Sequence, residues 1–333
     1  MRRLRLILPG LTILILIGIF ARLISVTVPL MNHLILAILI GLFIGNLYEI
    51  PEWAESGIAT HKLWLEAGIV VMGASVALDQ VIAAGPTILA LVVTTVIVII
   101  LLVETLSIGL FDIQTKVPSL LAAGSSICGV SAIVAVAGGI KANEREIAYA
   151  AATILLFDTI TIISYPILGQ VMGLSDTVFG VWAGLTMFST GPVTAAGFTF
   201  SERAGEWAVI VKLTRNALIG VVAIAYSLFY TRRGENAMES STNQWQYLWQ
   251  SFPKFVLGFL FVMFVANIGI LNQQQVTTLE NASNWLFLFA FAGLGFEIQF
   301  SEIRSTGLKP IFVVLTTLIS TSVVLLLILR VLF

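Results

Sequence analysis

The feature that most constrains this chain is a succession of apolar runs, each about twenty residues long and nearly free of charge. A spanning helix needs about 20 mostly apolar residues. Such runs recur near 6–24, 30–48, 64–80, 86–107, 118–140, 147–171, 178–200, 206–230, 253–271, 283–300 and 310–332. They predict an all-α polytopic membrane protein of about 10–11 transmembrane helices, a single transmembrane domain over 1–333. Charged residues make up only 11% of the chain and hydrophobic ones 58%, far from the balance of a soluble domain. The runs are aliphatic all round and do not alternate, which excludes a porin-type barrel. A net charge of −1 offers no surface to nucleic acid. One cysteine and two histidines exclude a disulfide framework and leave little room for zinc or haem, so no cofactor is expected. No nucleophile–base or metal constellation is legible, and no enzyme is expected.

Positive charge sets orientation. Arg2, Arg3 and Arg5 precede the first run, which reads as a retained helix with its N-terminus inside. The polar stretch 231–252 then becomes a cytoplasmic loop joining halves of approximately 1–172 and 173–333. The 301–309 loop is also inside, and the 272–282 loop, which has no Lys or Arg, is outside. Lys141 and Arg145 fit this scheme less well, so 118–140 either spans or re-enters.

The chain repeats itself at a distance. Gly73 matches Gly295, Gly85 matches Gly307, and Val92-x-Thr94-Thr95 matches Val314-x-Thr316-Thr317, all at a shift of 222. Asn46, ending GLFIGN, matches Asn267, ending FVMFVAN, at 221. With the orientation above this predicts an inverted-topology repeat. A second echo relates Ser125-Ser126-x-x-Gly129 to Ser189-Thr190-Gly191.

Polar groups inside apolar runs carry the functional signal. Backbone groups in lipid must be satisfied internally, so broken helices occur only where protein or a cavity covers them. Two segments read as broken or re-entrant. One holds Ser125, Ser126, Cys128, Gly129 and Ser131, with Cys128 as a small packing residue. The other holds Ser189, Thr190, Pro192 and Thr194, where Pro192 is expected to break the helix. A half-helix starting at either break would aim its positive end at an anion. The alternative is close helix packing through small residues. Lys212 and Arg215, three apart and so on one helix face, could hold that anion or pair with carboxylates. Asp158, mid-helix in LLFDTITIISYP, suits a coupling proton or sodium ion, or a pair with Lys212 or Arg215. Glu297, beside Gly293 and Gly295, is a second coupling candidate. Asp79 and Glu104 read as solvated helix ends, and His33 and His61 as membrane-edge residues.

GSSICGVSAIVAV, KANEREIAYAAATILLFDTI, FGVWAGLT, KLTRNALI and AGLGFEIQFSEIRSTGLKP, in that order, resemble the family of YeiH-type bacterial inner-membrane proteins that carries a sulfate-exporter label. The resemblance implies a multi-pass secondary transporter of the bacterial plasma membrane. It also implies a core-and-scaffold arrangement similar to bile-acid and citrate transporter folds. The chain departs from that pattern. The family has His-Glu-x-x-Gln/His where Phe188 to Pro192 stand, and Arg where Ser75 and Glu66 stand. It has a small residue at Asp158 and Thr or Asn at Glu297. The chain has thus exchanged basic and titratable groups for carboxylates.

The expectation is a secondary active transporter working by alternating access. Its site is built from the two broken segments with Lys212 and Arg215. Its substrate is a small anion, sulfate, sulfonate or carboxylate-like, coupled to a proton or sodium ion through Asp158 or Glu297. The alternative is a cation/proton (sodium/proton) antiporter. Gly41 and Gly45 have the GxxxG-like spacing that permits helix packing, including in a homodimer.

Overall fold

In a computed structural model of the protein, residues 2–27, 33–48, 50–76, 78–113, 116–232, 254–298 and 308–333 are described. Among them every regular element is helical. Five stretches are long and apolar enough to cross a membrane: Ile7–Thr27, Val81–Leu110, Glu144–Val171, Glu202–Arg232 and Leu308–Leu332. The chain is an all-α polytopic membrane protein. The stretch 231–252 and the 301–309 loop fall almost wholly outside the described residues, as do the side chains of Arg2, Arg3 and Arg5.

The chain forms two compact units, each assembled from separated pieces rather than from the sequential halves 1–172 and 173–333. The first comprises 1–85 and 254–300, the second 86–253 and 301–333.

In the first unit lie α1 (Arg2–Thr27), α2 (His33–Leu47), α3 (Glu52–Ile58), α4 (His61–Met72) and the start of α5 (Leu78–Thr105). It also holds α13 (Phe255–Asn267) and α14 (Gln273–Glu297). The expected span 283–300 is a helix that begins ten residues earlier, and 272–282 is therefore no loop. The reason is a capping box. Asn272 Oδ1 accepts from Gln275 N and Gln275 Oε1 accepts from Asn272 N, both at 2.9 Å, which satisfies two otherwise orphaned amides.

The repeat is present as a matched set of hydrogen bonds. Near the end of α2, Asn46 Nδ2 donates to Leu42 O (2.9 Å) and to Ile298 O (2.6 Å). At the end of α13, Asn267 Nδ2 donates to Met263 O and Val76 O, both at 2.8 Å. The same offsets carry Leu42 to Met263, Asn46 to Asn267 and Val76 to Ile298. The helix crossings match as well. A Cβ at Gly295 would strike Ile38 O and Leu42 N, and one at Gly73 would strike Phe259 O and Met263 N. So α2 packs on α14 as α13 packs on α4, the reciprocal pattern of a twofold-related pair. Gly41 and Gly45 serve this intramolecular crossing, against Ala292 and Phe296, so their spacing is used up within the chain. Equivalent roles predict equivalent losses. Asn46→Ala and Asn267→Ala are each expected to cost about 1–2 kcal/mol, read as similar drops in thermal stability.

The second unit contains the rest of α5, then α6 (Val117–Ser126), α7 (Val130–Ile140), α8 (Glu144–Val171) and α9 (Asp176–Thr186). It continues with α10 (Thr190–Phe200), α11 (Glu202–Asn216), α12 (Ile219–Arg232) and α15 (Leu308–Leu332). The expected spans 118–140 and 178–200 are each two half-helices with a break between. Every residue of α6 is buried, as are Val178–Thr186 of α9 and 191–199 of α10. Protein thus covers α6 and most of α9 and α10, as the unpaired groups at a helix break demand. In contrast α8 and α15 expose apolar rows, Ile160, Ile163 and Ile167 on one and Ile319, Val323 and Leu327 on the other. These suit contact with lipid chains.

Candidate functional site

A break in a helix creates four orphaned carbonyls on one side and four orphaned amides on the other. α6 stops at Ile127, whose N–H donates to Ala123 O (3.1 Å). Gly129 N donates to Gly124 O (2.9 Å), and α7 starts at Val130. Gly129 has φ +67° and ψ −132°, a conformation that L side chains avoid. A Cβ there would also collide with Ser189 Oγ. The two breaks therefore touch. α9 stops at Thr186, the chain is extended at Met187 and Ser189, and α10 starts at Thr190.

Two cations from α11 close the carbonyl ends. Lys212 Nζ donates to Ile127 O (2.5 Å), Met187 O (3.2 Å) and Phe188 O. Three acceptors require three N–H bonds, those of an ammonium. Arg215 Nε donates to Ser126 O (3.1 Å) and Nη2 to Ser125 O (3.0 Å). Its Nη1 donates to Gly184 O (2.8 Å) and Met187 O (2.9 Å). Both side chains are 0% exposed. Each thus bridges the C-terminal ends of α6 and α9, where a helix favours positive charge. The sequence left Lys212 and Arg215 to hold an anion or to pair with carboxylates; in the structure their N–H groups are used on the two helix ends. Those donors are on backbone carbonyls, and the charges act through space.

The opposite charge sits at the other end of a break. Asp158 of α8 accepts from Ser189 N through Oδ1 (3.0 Å), capping α10 where a helix favours an anion. Among the described residues, the buried Asp, Glu, Lys and Arg side chains are Asp158, Lys212 and Arg215. All three converge on these breaks. Asn216, the next residue on α11, donates through Nδ2 to Thr190 Oγ1 (3.0 Å).

The smaller candidates line the same place. Ser126 Oγ donates to Ala123 O (3.4 Å) and Thr194 Oγ1 to Thr190 O (2.7 Å). The buried hydroxyl of Ser125 and Oδ1 of Asn216 have no hydrogen-bond partner among the described residues. Cys128 is a buried free thiol at the α6 break. Ser131 is exposed, and Val130, Ser189 and Thr190 are half-buried between buried neighbours. The breaks are thus partly open at Val130, Ser131, Ser189 and Thr190.

Three expectations change. Pro192 does not break a helix; it sits in the first turn of α10, where a missing N–H costs nothing. Glu297 is not among the buried charges. Its carboxylate binds Lys62 Nζ (2.7 Å) and His61 Nε2 (3.2 Å) in the first unit, and His61 is buried there. Glu104 is not a free helix end. Its Oε1 accepts from Ser119 Oγ (2.7 Å) and Tyr226 OH (2.9 Å). Asn216 went unread, although its polar amide directly after Lys212 and Arg215 in an apolar run was a usable signal.

The family model described as Conserved hypothetical protein 698 matches residues 9–314. The chain belongs to this family. Three curated relatives agree, each called a UPF0324 membrane protein. One from Streptococcus agalactiae serotype V is 32% identical over 91% of both chains. One from Bacillus cereus is 33% identical over 90% of this chain and 87% of its own. One from Nitratidesulfovibrio vulgaris is 31% identical over 84% of this chain and 78% of its own. No solved structure matches the chain.

Proposed function

We propose that this family member is a secondary active transporter of the bacterial plasma membrane that takes a small anion at its paired helix breaks. The observation that carries this reading is the charge balance there. Two half-helix C-ends and two N-ends hold about −0.5 and +0.5 charge each and cancel. Lys212 and Arg215 against Asp158 leave one positive charge in excess in a buried region. The amide end of α7 has no side-chain cap, and Val130, Ser131, Ser189 and Thr190 beside it are reachable. A sulfate, sulfonate or carboxylate could accept from those amides and hydroxyls while the buried cations balance its charge. Broken helices with opposed ends are the usual construction of a transporter site that alternates its access. No catalytic step is part of this reading.

A second reading is a sodium/proton antiporter, favoured by the buried Asp158 carboxylate at the break. Thermal unfolding of the purified protein separates the two. A sulfate, sulfonate and carboxylate series at constant ionic strength is compared with sodium and pH. A bound anion at a hundred times its dissociation constant adds about 2.7 kcal/mol. Stabilisation by one anion class supports the anion transporter. Stabilisation by sodium alone, lost in Asp158→Asn, supports the antiporter.

A further inference from the structure

A second polar cluster lies in the second unit, around Glu104. This carboxylate stands in the apolar span Val81–Leu110, where an ionisable group is costly and usually functional. No Lys, Arg or His among the described residues lies within 4 Å of it. It is held by hydroxyls alone: Ser119 of α6 and Tyr226 of α12 both donate to Oε1. Ser119 Oγ in turn lies 3.1 Å from Tyr230 OH, one helical turn beyond Tyr226. Past Tyr230 comes Lys116 Nζ, 5.9 Å from the ring centre and hydrogen-bonded to Lys141 O. The hydroxyls thus form a chain from Tyr230 to the carboxylate, and the Tyr230 ring lies beside the charged margin at Lys116 and Lys141.

The helix is altered at this point. Residues Leu106–Leu110 form a single π turn, in which Phe111 N donates to Leu106 O (3.0 Å), a local irregularity frequent at functional sites. Within it Ser107 is 0% exposed and its Oγ has no hydrogen-bond partner among the described residues. The other charged groups on these elements are Asp79 at the start of α5, Asp112 just past the π turn, Arg232 at the end of α12, and Lys309 and Arg330 at the two ends of α15, and from α8 Glu146 accepts from Lys116 N through Oε1 (3.1 Å).

We propose that Glu104 is a proton-binding site, through which the transporter takes up its coupling proton; the coupling role, though not the binding, rests on the reading above. A hydroxyl can donate or accept. Ser119 and Tyr226 can therefore donate to the carboxylate, or one can turn to accept from the carboxyl group. A hydronium ion from the aqueous margin gives its proton to Tyr230 OH as Tyr230 passes its own to Ser119 Oγ and Ser119 its own to Glu104 Oε1, so each hydroxyl ends neutral and water is left behind. Asp158, by contrast, caps α10 through Oδ1, which accepts from Ser189 N.

Infrared difference spectroscopy of the purified full-length protein during a pH titration tests this without any substrate. A carboxyl C=O band at the frequency of a buried carboxyl, distinct from those of the exposed Asp and Glu side chains, is expected to appear on acidification of the native protein, to be absent in Glu104→Gln and to be retained in Asp158→Asn. Tyr226→Phe and Ser119→Ala keep the carboxylate and remove one donor each, and are expected to move the band's midpoint by about one pH unit. These two decide the matter if Glu104→Gln does not fold. An unchanged band in Glu104→Gln, or an unmoved midpoint in both hydroxyl variants, overturns the proposal. A band that follows sodium and not pH overturns it too. If the band behaves as expected while no anion stabilises the protein, the proton site stands and the anion-transport reading falls.

Discussion

Arg215→Ala is expected to be among the most damaging single substitutions in the protein. The side chain makes four hydrogen bonds, to Ser126 O, Ser125 O, Gly184 O and Met187 O. Its loss orphans carbonyls of two half-helices at once, in a place that water does not reach. Each charge-assisted bond is worth about 1.5–3 kcal/mol, not additively. A total of about 4 kcal/mol or more is expected, in the exceptional range for one residue. That corresponds to a fall of roughly 10 °C in melting temperature. Arg215→Lys should recover only part of it, because a single ammonium cannot reproduce the planar fork that reaches both helix ends. Lys212→Met should behave like a weaker version, since it removes the hydrogen bonds to Ile127 O, Met187 O and Phe188 O. Were Arg215 instead a rim residue that merely attracts substrate, Arg215→Ala would melt like the native protein and lose only its anion response. Thermal unfolding of the variants without added anion separates these outcomes.

Much of the architecture was legible because hydropathy is local. The runs 147–171 and 310–332 became α8 and α15 almost unchanged, since each is long and apolar enough to declare itself. The repeat was legible for a different reason. Asn46 and Asn267 are costly polar groups at one structural position, and Gly73 and Gly295 are forced by backbone contact. The two breaks showed as clusters of small residues, but the role of Pro192 was misread, because a proline that starts a helix and one that ends a helix look alike in sequence. What Lys212 and Arg215 bind was not legible. Their partners are backbone oxygens 24 to 90 residues away, and a carbonyl carries no residue signature. Glu104 failed similarly. Its partners, Ser119 and Tyr226, lie 15 and 122 residues away, and only the tertiary fold brings them to it. For the same reason Glu297 could not be matched in advance with Lys62 and His61.

The contact between the two breaks can be measured directly, through Gly129 and Ser189. Gly129→Ala faces two separate penalties. One is the backbone conformation at φ +67°, which costs about 1–3 kcal/mol for an L side chain. The other is the collision of the new methyl group with Ser189 Oγ. Ser189→Ala removes the second and leaves the first. It also leaves the Ser189 backbone N–H on Asp158, so the cap of α10 survives. A double-mutant cycle over these two positions should therefore be non-additive. Gly129→Ala is expected to lose about 3 kcal/mol in the native background and about 1 kcal/mol less with Ser189→Ala, a coupling in the range found for residues in contact. Additive losses would mean that the α6 and α9 breaks are not in touch, and a site shared between them would then be untenable. If the coupling is present, the same four proteins can be titrated with the stabilising anion. A ligand seated on the amide end of α7 must answer to Gly129, since that residue sets where α7 begins. Gly129→Ala with Ser189→Ala should therefore regain stability without regaining the full anion response, which separates the packing role of the glycine from its part in presenting the amides.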